Sequence, residues 1–154
     1  FRKSHFKGVI NVVNRFIEII KPKKILLGNK DFQQQILIKK HIIKNKINTK
    51  VVQCKTVRNQ DYIAYSSRLK LMKNNEKNKL INIIKHLKAF KRNLISKKIK
   101  YNYSNIKNEL LSLGVKQVDY IEILDLKTLK KPTRKRFNLF FAFYIGKVRF
   151  IDNF

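Results

Sequence analysis

Residues 24–34, KILLGNKDFQQ, join a short apolar run to the start of a helical pattern. The run from Lys24 to Gly28 is bounded by a proline and a glycine and is too short for a helix, so it predicts a buried β-strand. Apolar residues then recur at helical spacing from Asp31 to Lys44. The segment therefore predicts a strand, a turn and a helix in direct succession.

The neighbouring segments extend this alternation in both directions. Residues 8–20 place apolar side chains at three- and four-residue intervals, which predicts an amphipathic helix that Pro22 ends, and residues 50–56 predict a second strand. Helix, strand, helix, strand is typical of a parallel α/β layer. We therefore predict an α/β fold for the first part of the chain.

The second part of the chain has a different pattern. Residues 57–71 lack a regular period and predict a long loop, a kind of segment that often carries function. Two helices and three β segments are predicted after it, at residues 75–95, 104–113, 117–126, 137–145 and 147–152. Gly114 ends the second helix, and Gly146 joins the last two strands as a hairpin. We therefore expect two domains, residues 1–71 and a small α+β domain at residues 72–154.

The net charge of +28 at pH 7, from 37 Lys and Arg against 9 Asp and Glu, is typical of proteins that bind nucleic acid or acidic membranes. The composition favours another explanation. Lys, Ile and Asn number 29, 21 and 16 and together make up 66 of the 154 residues, whereas there are only 8 Arg. Nucleic-acid-binding surfaces rely on the fork of arginine, so this scattered lysine surplus indicates compositional bias. We therefore expect neither nucleic acid nor a membrane among the partners.

The single cysteine and the short apolar runs indicate the cellular location of the protein. Cys54 is the single cysteine, which excludes an internal disulfide and a cysteine-based zinc cluster and predicts a reducing, cytoplasmic location. No metal-ligating cluster is expected. The longest apolar run, residues 137–145, contains Asn138 and is far shorter than the roughly 18 residues that a membrane helix requires. We therefore predict a soluble protein.

The turn after the first strand is a candidate anion-binding site. Gly28 lets a ligand approach the backbone, the first turn of the helix presents N–H groups, and Lys30 adds a positive charge. A structural alternative needs no ligand: Asp31 is then the N-cap of the helix and Gln34 an ordinary surface residue. The segment lacks the P-loop pattern, so it does not indicate a Walker-type NTPase.

The loop at residues 56–68 offers a second candidate. Ser66 and Ser67 provide adjacent hydroxyl groups and Arg68 a guanidinium, which together are able to bind a triphosphate. The alternative is a solvated loop in which the serines form local turns. Considered alone, each of the two segments favours its structural alternative.

Five segments of the chain together match one family. Residues 28–34 match its G-x-K-D-[FY]-Q-Q motif, and residues 56–68 match its T-V-R…D-G-L-A-M-S-S-R-N loop up to the final Asn. Shorter matches are H-F-x-G-V at residues 5–9, D-Y-x-E at 119–122 and R-x-I-D-N at 149–153. In this order and spacing the chain resembles the pantothenate synthetases, ATP-dependent pantoate–β-alanine ligases related to the class I aminoacyl-tRNA synthetases. The resemblance implies part of a Rossmann-like nucleotidyltransferase parallel sheet followed by a small α+β C-terminal domain.

The resemblance also implies an ATP site to which both candidate segments contribute. Gly28 and Asp31 are expected next to the ribose. Lys30 is expected next to the phosphates, where its charge stabilises the α-phosphorus during attack. Val57 and Tyr65 are expected to hold adenine, mainly through backbone groups.

The same resemblance assigns Ser66, Ser67 and Arg68 to the phosphates together with Mg²⁺, so that these three residues and Lys30 form the catalytic set. Gln34 is expected to hydrogen-bond pantoate. In the reaction so implied, the pantoate carboxylate attacks the α-phosphate to give pantoyl adenylate and pyrophosphate, and the β-alanine amine then displaces AMP. Positioning and charge neutralisation suffice for both steps without a protein nucleophile. A homodimer is also implied.

Four positions depart from the family pattern. Asn29 replaces a usual Glu, Tyr62 replaces a loop glycine, Tyr65 replaces Met and Leu69 replaces Asn. If that glycine is needed for a positive φ, Tyr62 strains the backbone. The change at Tyr65 matters less if its contact is made by the main chain.

The HIGH-like motif of the family, which carries two histidines, is not found in this sequence, because His5, His41 and His86 do not have its spacing. We therefore expect the chain to be the C-terminal portion of such an enzyme. Half of a sheet leaves an apolar face that the absent strands would cover, which predicts association or low solubility.

Two other functions stay open. A basic module that binds RNA or a membrane surface requires lysines and aromatic residues gathered on one surface. The lysines are scattered, and aromatic residues such as Phe16, Tyr120 and Phe140 occupy predicted core positions. The other alternative is a decayed, inactive remnant of the ligase, in which changes such as Tyr62 record lost selection.

Overall fold

The computed structural model describes residues 3–98, 100–132 and 137–154. They form two compact units, one ending at Thr56 and the other beginning at Val57. The first unit contains a parallel pair of strands and the second a three-stranded antiparallel sheet. The predicted α/β class, with an α+β part after it, is confirmed.

The first unit alternates helices and strands, as predicted. Its elements are α1 (Lys3–Ile20), β1 (Lys24–Gly28), α2 (Phe32–Lys44) and β2 (Lys50–Cys54). β1 and β2 pair in parallel, with each residue of one strand opposite a residue of the other. A parallel pair requires a crossover connection, and α2 supplies it. α1 begins before the predicted residue 8, so Gly8 lies within the helix.

α1 packs on α2 through one side only. Ile17 of α1 is buried against Ile38 and Ile42 of α2, and these three are surrounded by the half-buried Val9, Ile10, Val13, Ile25, Leu27, Ile47 and Val51. The α1 apolar face, defined here as Val12, Phe16, Ile19 and Ile20, is between 54% and 65% exposed. The prediction that Phe16 belongs to the core is therefore wrong, because the helix carries apolar residues around more of its circumference than the unit buries. In the part of the chain that the structure describes, no helix is long and apolar enough to cross a membrane.

The second unit continues from an irregular loop into an α+β structure. Its elements are a short 3₁₀ helix (Ser67–Leu71), α3 (Asn74–Ile95), α4 (Tyr103–Ser112), β3 (Gln117–Leu124), β4 (Asn138–Ile145) and β5 (Val148–Asn153). The strands form one antiparallel sheet in the order β3-β4-β5. Apolar side chains of α3 and α4 pack against this sheet and bury Phe141, Phe143 and Phe150. Each helix and strand predicted for this unit is found within one or two residues of its expected ends.

Two glycines end elements of the second unit, as predicted. Gly114 follows α4 with a φ of +90°, and Gly146 joins β4 to β5 with a φ of +56°. Gly146 also has no room for a side chain, because a Cβ there would lie 2.0 Å from a carboxylate oxygen of Glu76. The other oxygen of Glu76 accepts a hydrogen bond from the Lys73 N–H at 2.8 Å, at the start of α3. The hairpin and the start of α3 are thus in close contact.

β3 ends earlier than the predicted residue 126 because Asp125 starts a turn. The backbone N–H groups of Thr128 and Lys127 both donate to its carboxylate at 2.9 Å. These hydrogen bonds, with that of Thr128 the larger contribution, lower the pKa of Asp125. The ionised side chain therefore stabilises the turn at neutral pH.

Residues 57–71 pack with the second unit. Ile63 belongs to its core, Leu69 packs against that core, and Arg58 forms an ion pair with Asp152. The division between the compact units therefore falls after Thr56, whereas the sequence predicts a domain boundary after residue 71. The functional assignment of this segment to the nucleotide-binding part of the protein stays a prediction.

The α1 apolar face is expected to drive self-association. Phe16→Glu places a charge within that face, so it should shift the chain toward monomer at micromolar concentration, measured by sedimentation velocity. Asn11→Glu is the matched control, because Asn11 is exposed on the same helix outside the face and the change of charge is the same. A wild-type chain that is monomeric and monodisperse at that concentration would contradict the prediction.

Candidate functional site

The turn after β1 has open space beside its backbone. β1 ends at Gly28, residues 29–31 form one 3₁₀ turn, and α2 begins at Phe32. Gly28 has an extended backbone with φ −72° and ψ 139°, and a Cβ added there would meet no described atom within 4 Å. Since this conformation is open to any residue, the backbone does not require glycine. The space beside Gly28 is available to a ligand.

Asp31 occupies the N-cap position of α2 without acting as a cap. Its side chain is exposed and accepts no hydrogen bond from the N–H groups of the described helix. The structural alternative, an ordinary N-cap, therefore lacks the bond that would explain the residue. Lys30 precedes it in the same turn and is half-buried. The turn thus presents one acidic and one basic side chain at the start of α2.

Gln35 holds this turn from within, and sequence reasoning missed it. The residue is 1% exposed, and its Nε2 donates to the carbonyl of Leu27 at 2.8 Å and to Oδ1 of Asn29 at 3.1 Å. It shares the buried face of α2 with Phe32 and Ile38. That three-residue spacing is the signal in the sequence that predicts its burial.

α1 and the start of α2 line an open pocket of about 510 Å³. Its lining consists of His5, Gly8, Val9, Val12, Val13 and Gln34. The pocket brings the H-F-x-G-V segment of α1 together with Gln34 of α2, which is half-buried. Valine side chains beside one amide and one imidazole suit a small molecule with a branched apolar body and a few polar groups.

Val57 and Tyr65 meet at the base of the loop in the second unit. The Tyr65 N–H donates to the Val57 carbonyl at 3.2 Å, and the neighbouring Arg58 and Ala64 form a β-bridge. The reverse hydrogen bond, from the Val57 N–H to the Tyr65 carbonyl, is not formed between these two described residues. The Val57 N–H is therefore a backbone donor for a ligand, and the Tyr65 carbonyl is a backbone acceptor. Adenine complements such a pair, because its N7 accepts a hydrogen bond and its N6 amino group donates one.

Tyr62 has the left-handed backbone that the family glycine predicts. Its φ is +67°, a strained angle for an aromatic residue. Lys88 Nζ and Arg58 Cζ lie 3.8 Å and 4.6 Å from the centre of its ring, and the Phe154 ring approaches edge-on at 5.8 Å. These cation–π and aromatic contacts offset the strain. The condition under which Tyr62 is expected from the sequence to strain the backbone, a positive φ, is therefore met.

The three phosphate-binding candidates are consecutive at the end of the loop. Ser66 precedes the 3₁₀ helix, and its Oγ accepts a hydrogen bond from the Arg68 N–H at 3.3 Å. This is the local turn of the structural alternative, so the bond by itself indicates no ligand. Ser67 and Arg68 are exposed, and Nη1 of Arg68 donates to the Arg149 carbonyl at 3.4 Å. Both side chains are accessible from solvent.

His41 and His86 link helices. His41 Nε2 lies 3.1 Å from Oδ1 of Asn14, which joins α2 to α1, and His86 Nε2 lies 2.7 Å from a carboxylate oxygen of Glu109, which joins α3 to α4. Among the described residues, no three His, Cys, Asp or Glu side chains are grouped so that they could hold a metal ion.

Comparison with known proteins identifies the family. A family model described as Pantoate-beta-alanine ligase matches residues 1–154. The chain belongs to the pantoate–β-alanine ligase family. It is 36% identical over 164 residues to the pantothenate synthetase of Sulfurihydrogenibium sp. (strain YO3AOP1), a match that covers 99% of this chain and 56% of that protein. The chain thus spans little more than half the length of such curated relatives.

Solved structures have the same fold. The crystal structure of pantoate-beta-alanine ligase from Francisella tularensis, complexed with beta-gamma ATP and beta-alanine, is 34% identical and matches with a TM-score of 0.78 over 99% of this chain and 51% of that one. Pantothenate synthetase from Thermus thermophilus is 24% identical, with a TM-score of 0.82 over 99% of this chain and 56% of that one, and shows the fold alone. The resemblance found in the sequence motifs is confirmed.

Two substitutions of Tyr62 separate backbone strain from ring contacts. Tyr62→Gly and Tyr62→Ala both remove the ring, but only alanine keeps a Cβ at a φ of +67°. We expect the glycine variant to have a free energy of unfolding higher than that of the alanine variant by about 1 kcal/mol, measured with denaturant. Tyr103 is the matched control, because its side chain is also 38% exposed but its backbone is helical. At that position the alanine variant should be more stable than the glycine variant. The same order at both positions would contradict the role of φ.

Proposed function

We propose that this chain carries the ATP-binding and pantoate-binding residues of an AMP-forming pantoate–β-alanine ligase. The observation that carries the proposal is the pocket of the first unit, where the H-F-x-G-V segment and Gln34 meet. Membership of the family supports the same reaction, and the relative from Francisella tularensis was solved with beta-gamma ATP and beta-alanine.

Pantoate fits the chemistry of this pocket. It is a small carboxylate with two hydroxyl groups and one carbon that bears two methyl groups. Val9, Val12 and Val13 offer apolar surface to the methyl groups. The amide of Gln34 offers a donor and an acceptor to the hydroxyl and carboxylate oxygens. We therefore assign pantoate to the pocket.

The turn at residues 28–31 is proposed to bind the ribose and the α-phosphate of ATP. The space beside Gly28 lets the sugar approach the backbone, and Asp31 offers an exposed carboxylate to the ribose hydroxyl groups. Lys30 is proposed to place its ammonium group next to the α-phosphate, where it stabilises the charge that develops during attack. Gln35 supports these roles because its two hydrogen bonds fix the turn.

The loop of the second unit is proposed to bind the adenine and the phosphates. The Val57 N–H and the Tyr65 carbonyl are assigned to adenine. Ser66, Ser67 and Arg68 are assigned to the phosphates through hydroxyl and guanidinium hydrogen bonds. Mg²⁺ is proposed as a partner of the phosphate oxygens, which are ligands that it prefers. When bound, it neutralises phosphate charge.

The proposed reaction has two steps. A pantoate carboxylate oxygen attacks the α-phosphorus of ATP, the bond to the bridging oxygen breaks, and pyrophosphate leaves. The β-alanine amine then attacks the carbonyl carbon of pantoyl adenylate, loses a proton and displaces AMP. Lys30, Arg68 and the two serines act by positioning and by stabilising charge. A homodimer, implied by the resemblance, and a cytoplasmic location, predicted from Cys54, belong to the same proposal.

ATP binding by this chain is tested with Lys30→Ala. MgATP titrated by calorimetry should show saturable binding that persists at high salt. Lys30→Ala should weaken that binding about tenfold or more, because it removes a charge-assisted contact with a phosphate. Lys40→Ala is the matched control, since Lys40 is an exposed lysine further along α2 and both variants lower the net charge equally.

The salt dependence of ATP binding distinguishes a specific ATP site from nonspecific attraction of ATP to the basic surface. Attraction of ATP to a surface of net charge +28 weakens steeply as the salt concentration rises. Binding that disappears at high salt, and that Lys30→Ala and Lys40→Ala weaken equally, would contradict the proposal. Such a result would favour the basic module or the inactive remnant.

Filling the pocket tests the pantoate site. Gly8 lines the pocket on α1, and a Cβ there meets no described atom within 4 Å, so Gly8→Leu should fold normally and block pantoate binding. Gly8→Ala is the control, which should bind pantoate and raise the free energy of unfolding by about 0.5–1 kcal/mol because alanine favours a helix. Gln34→Ala should weaken binding about tenfold, measured by calorimetry. Equal pantoate affinity of the wild type and Gly8→Leu would rule out this pocket.

A further inference from the structure

Strand β5 holds the loop of the second unit near both of its ends. Near the start of the loop, Arg58 donates from Nη1 to Oδ2 of Asp152 at 2.6 Å and from Nη2 to Oδ1 at 3.0 Å. At the end of the loop, Nη1 of Arg68 donates to the carbonyl of Arg149 at 3.4 Å. Asp152 and Arg149 both belong to β5, so one strand contacts the two ends of the segment 58–68.

The Arg58–Asp152 pair is largely buried, and further hydrogen bonds surround it. The two side chains are 12% and 0% exposed. The guanidinium also donates to the carbonyls of Tyr62 and Asn153, at 2.9 Å and 2.8 Å, and the carboxylate also accepts from the Asn153 N–H at 2.8 Å. A bidentate pair in such surroundings fixes the orientation of both groups, and a lysine does not reproduce its two parallel bonds.

Arg58 also shapes the loop between its ends. Its bond to the Tyr62 carbonyl, and the position of its guanidinium over the Tyr62 ring, support the left-handed backbone of that residue. The turn is closed by hydrogen bonds from the Tyr62 N–H to the Asn59 carbonyl at 2.9 Å and from the Asn59 N–H to the Ile63 carbonyl at 3.0 Å. The chain therefore leaves the turn in a fixed direction toward the residues assigned to ATP.

We propose that Arg58 and Asp152 are positioning residues, which hold residues 65–68 in the geometry that binds ATP. The inference rests on the proposed function of that loop. Neither side chain has to contact the nucleotide, because each is buried against the other. The two contacts with β5 differ in strength, since the contact of Arg68 is exposed and 3.4 Å long. Arg68 is therefore able to exchange the Arg149 carbonyl for a phosphate while the buried pair stays in place.

The test measures MgATP affinity in variants of this chain. Asp152→Asn removes the negative charge and one of the two acceptor oxygens while it keeps the shape of the side chain, whereas Arg58→Lys keeps the positive charge and loses the fork. We expect Asp152→Asn to weaken MgATP binding about tenfold, because residues 65–68 then leave the geometry that binds the nucleotide. Arg58→Lys should weaken the binding less, because lysine keeps the positive charge opposite Asp152 although it loses the second parallel bond. Glu109→Gln is the control, since it alters the contact of Glu109 with His86 that joins α3 to α4 and should leave the affinity unchanged.

Hydrogen exchange without nucleotide tests the positioning directly. Four loop amides donate hydrogen bonds of 2.9 to 3.2 Å and serve as probes: Asn59, Tyr62, Ile63 and Tyr65. In Asp152→Asn these amides should exchange faster, whereas the amides of β4 should keep their wild-type rates. Equal acceleration of both sets would mean a general loss of stability and would overturn the inference. If Asp152→Asn does not fold, Arg58→Lys gives the same comparison.

Failure of this inference is distinguishable from failure of the proposed function. If the wild type binds MgATP and Asp152→Asn binds it with the same affinity, the positioning role is overturned and the proposed function stands. If the wild-type chain shows no saturable MgATP binding, the proposed function is overturned, and with it the nucleotide role assigned to the pair.

Discussion

The parallel pairing of β1 with β2 is the constraint on which the first unit depends. Successive side chains of a strand point to opposite faces, so the register of β1 directs Ile25 and Leu27 toward the core and Leu26 to solvent. α2 has to cross over in order to connect two parallel strands, and its start is therefore fixed beside the carboxyl end of β1. The turn at residues 28–31 and the pocket around Gln34 both follow from that geometry.

The helices and strands were predictable because each has a local signal. Apolar spacing, Pro22, Gly114 and Gly146 mark the ends of elements, and such signals act over a few residues. The contacts that hold the candidate site together have no such signal. Arg58 and Asp152 lie in two motifs that the family resemblance identifies, but nothing in a single sequence pairs residues so far apart. The ion pair between Arg58 and Asp152 depends on the tertiary structure, which places β5 beside the loop.

The candidate site shows the same division between local pattern and packing. The glycine of the family pattern raises the question of a positive φ at Tyr62, and the structure answers it. The contacts of the ring with Lys88 and Phe154 depend on the positions of other elements, which the sequence does not give. Gln34 was identified by its motif, but the pocket that it lines requires the packing of α1 on α2. Phe16 was predicted to be buried and is exposed. Helical periodicity predicts which side chains share a face of a helix, but it does not predict how much of that face the fold covers.

The close approach of Gly146 to Glu76 joins distant parts of the second unit. Glu76 caps the start of α3, and one of its oxygens occupies the space in which a side chain at position 146 would lie. The cap belongs to α3, the first α-helix of the unit, whereas the hairpin is near the end of the unit. The chain therefore has to close a long loop before the two support each other. Contacts of this separation slow folding, because the entropy of loop closure is lost before they form. The stability of the second unit is therefore a property of the whole unit, and neither the hairpin nor the helix holds it alone.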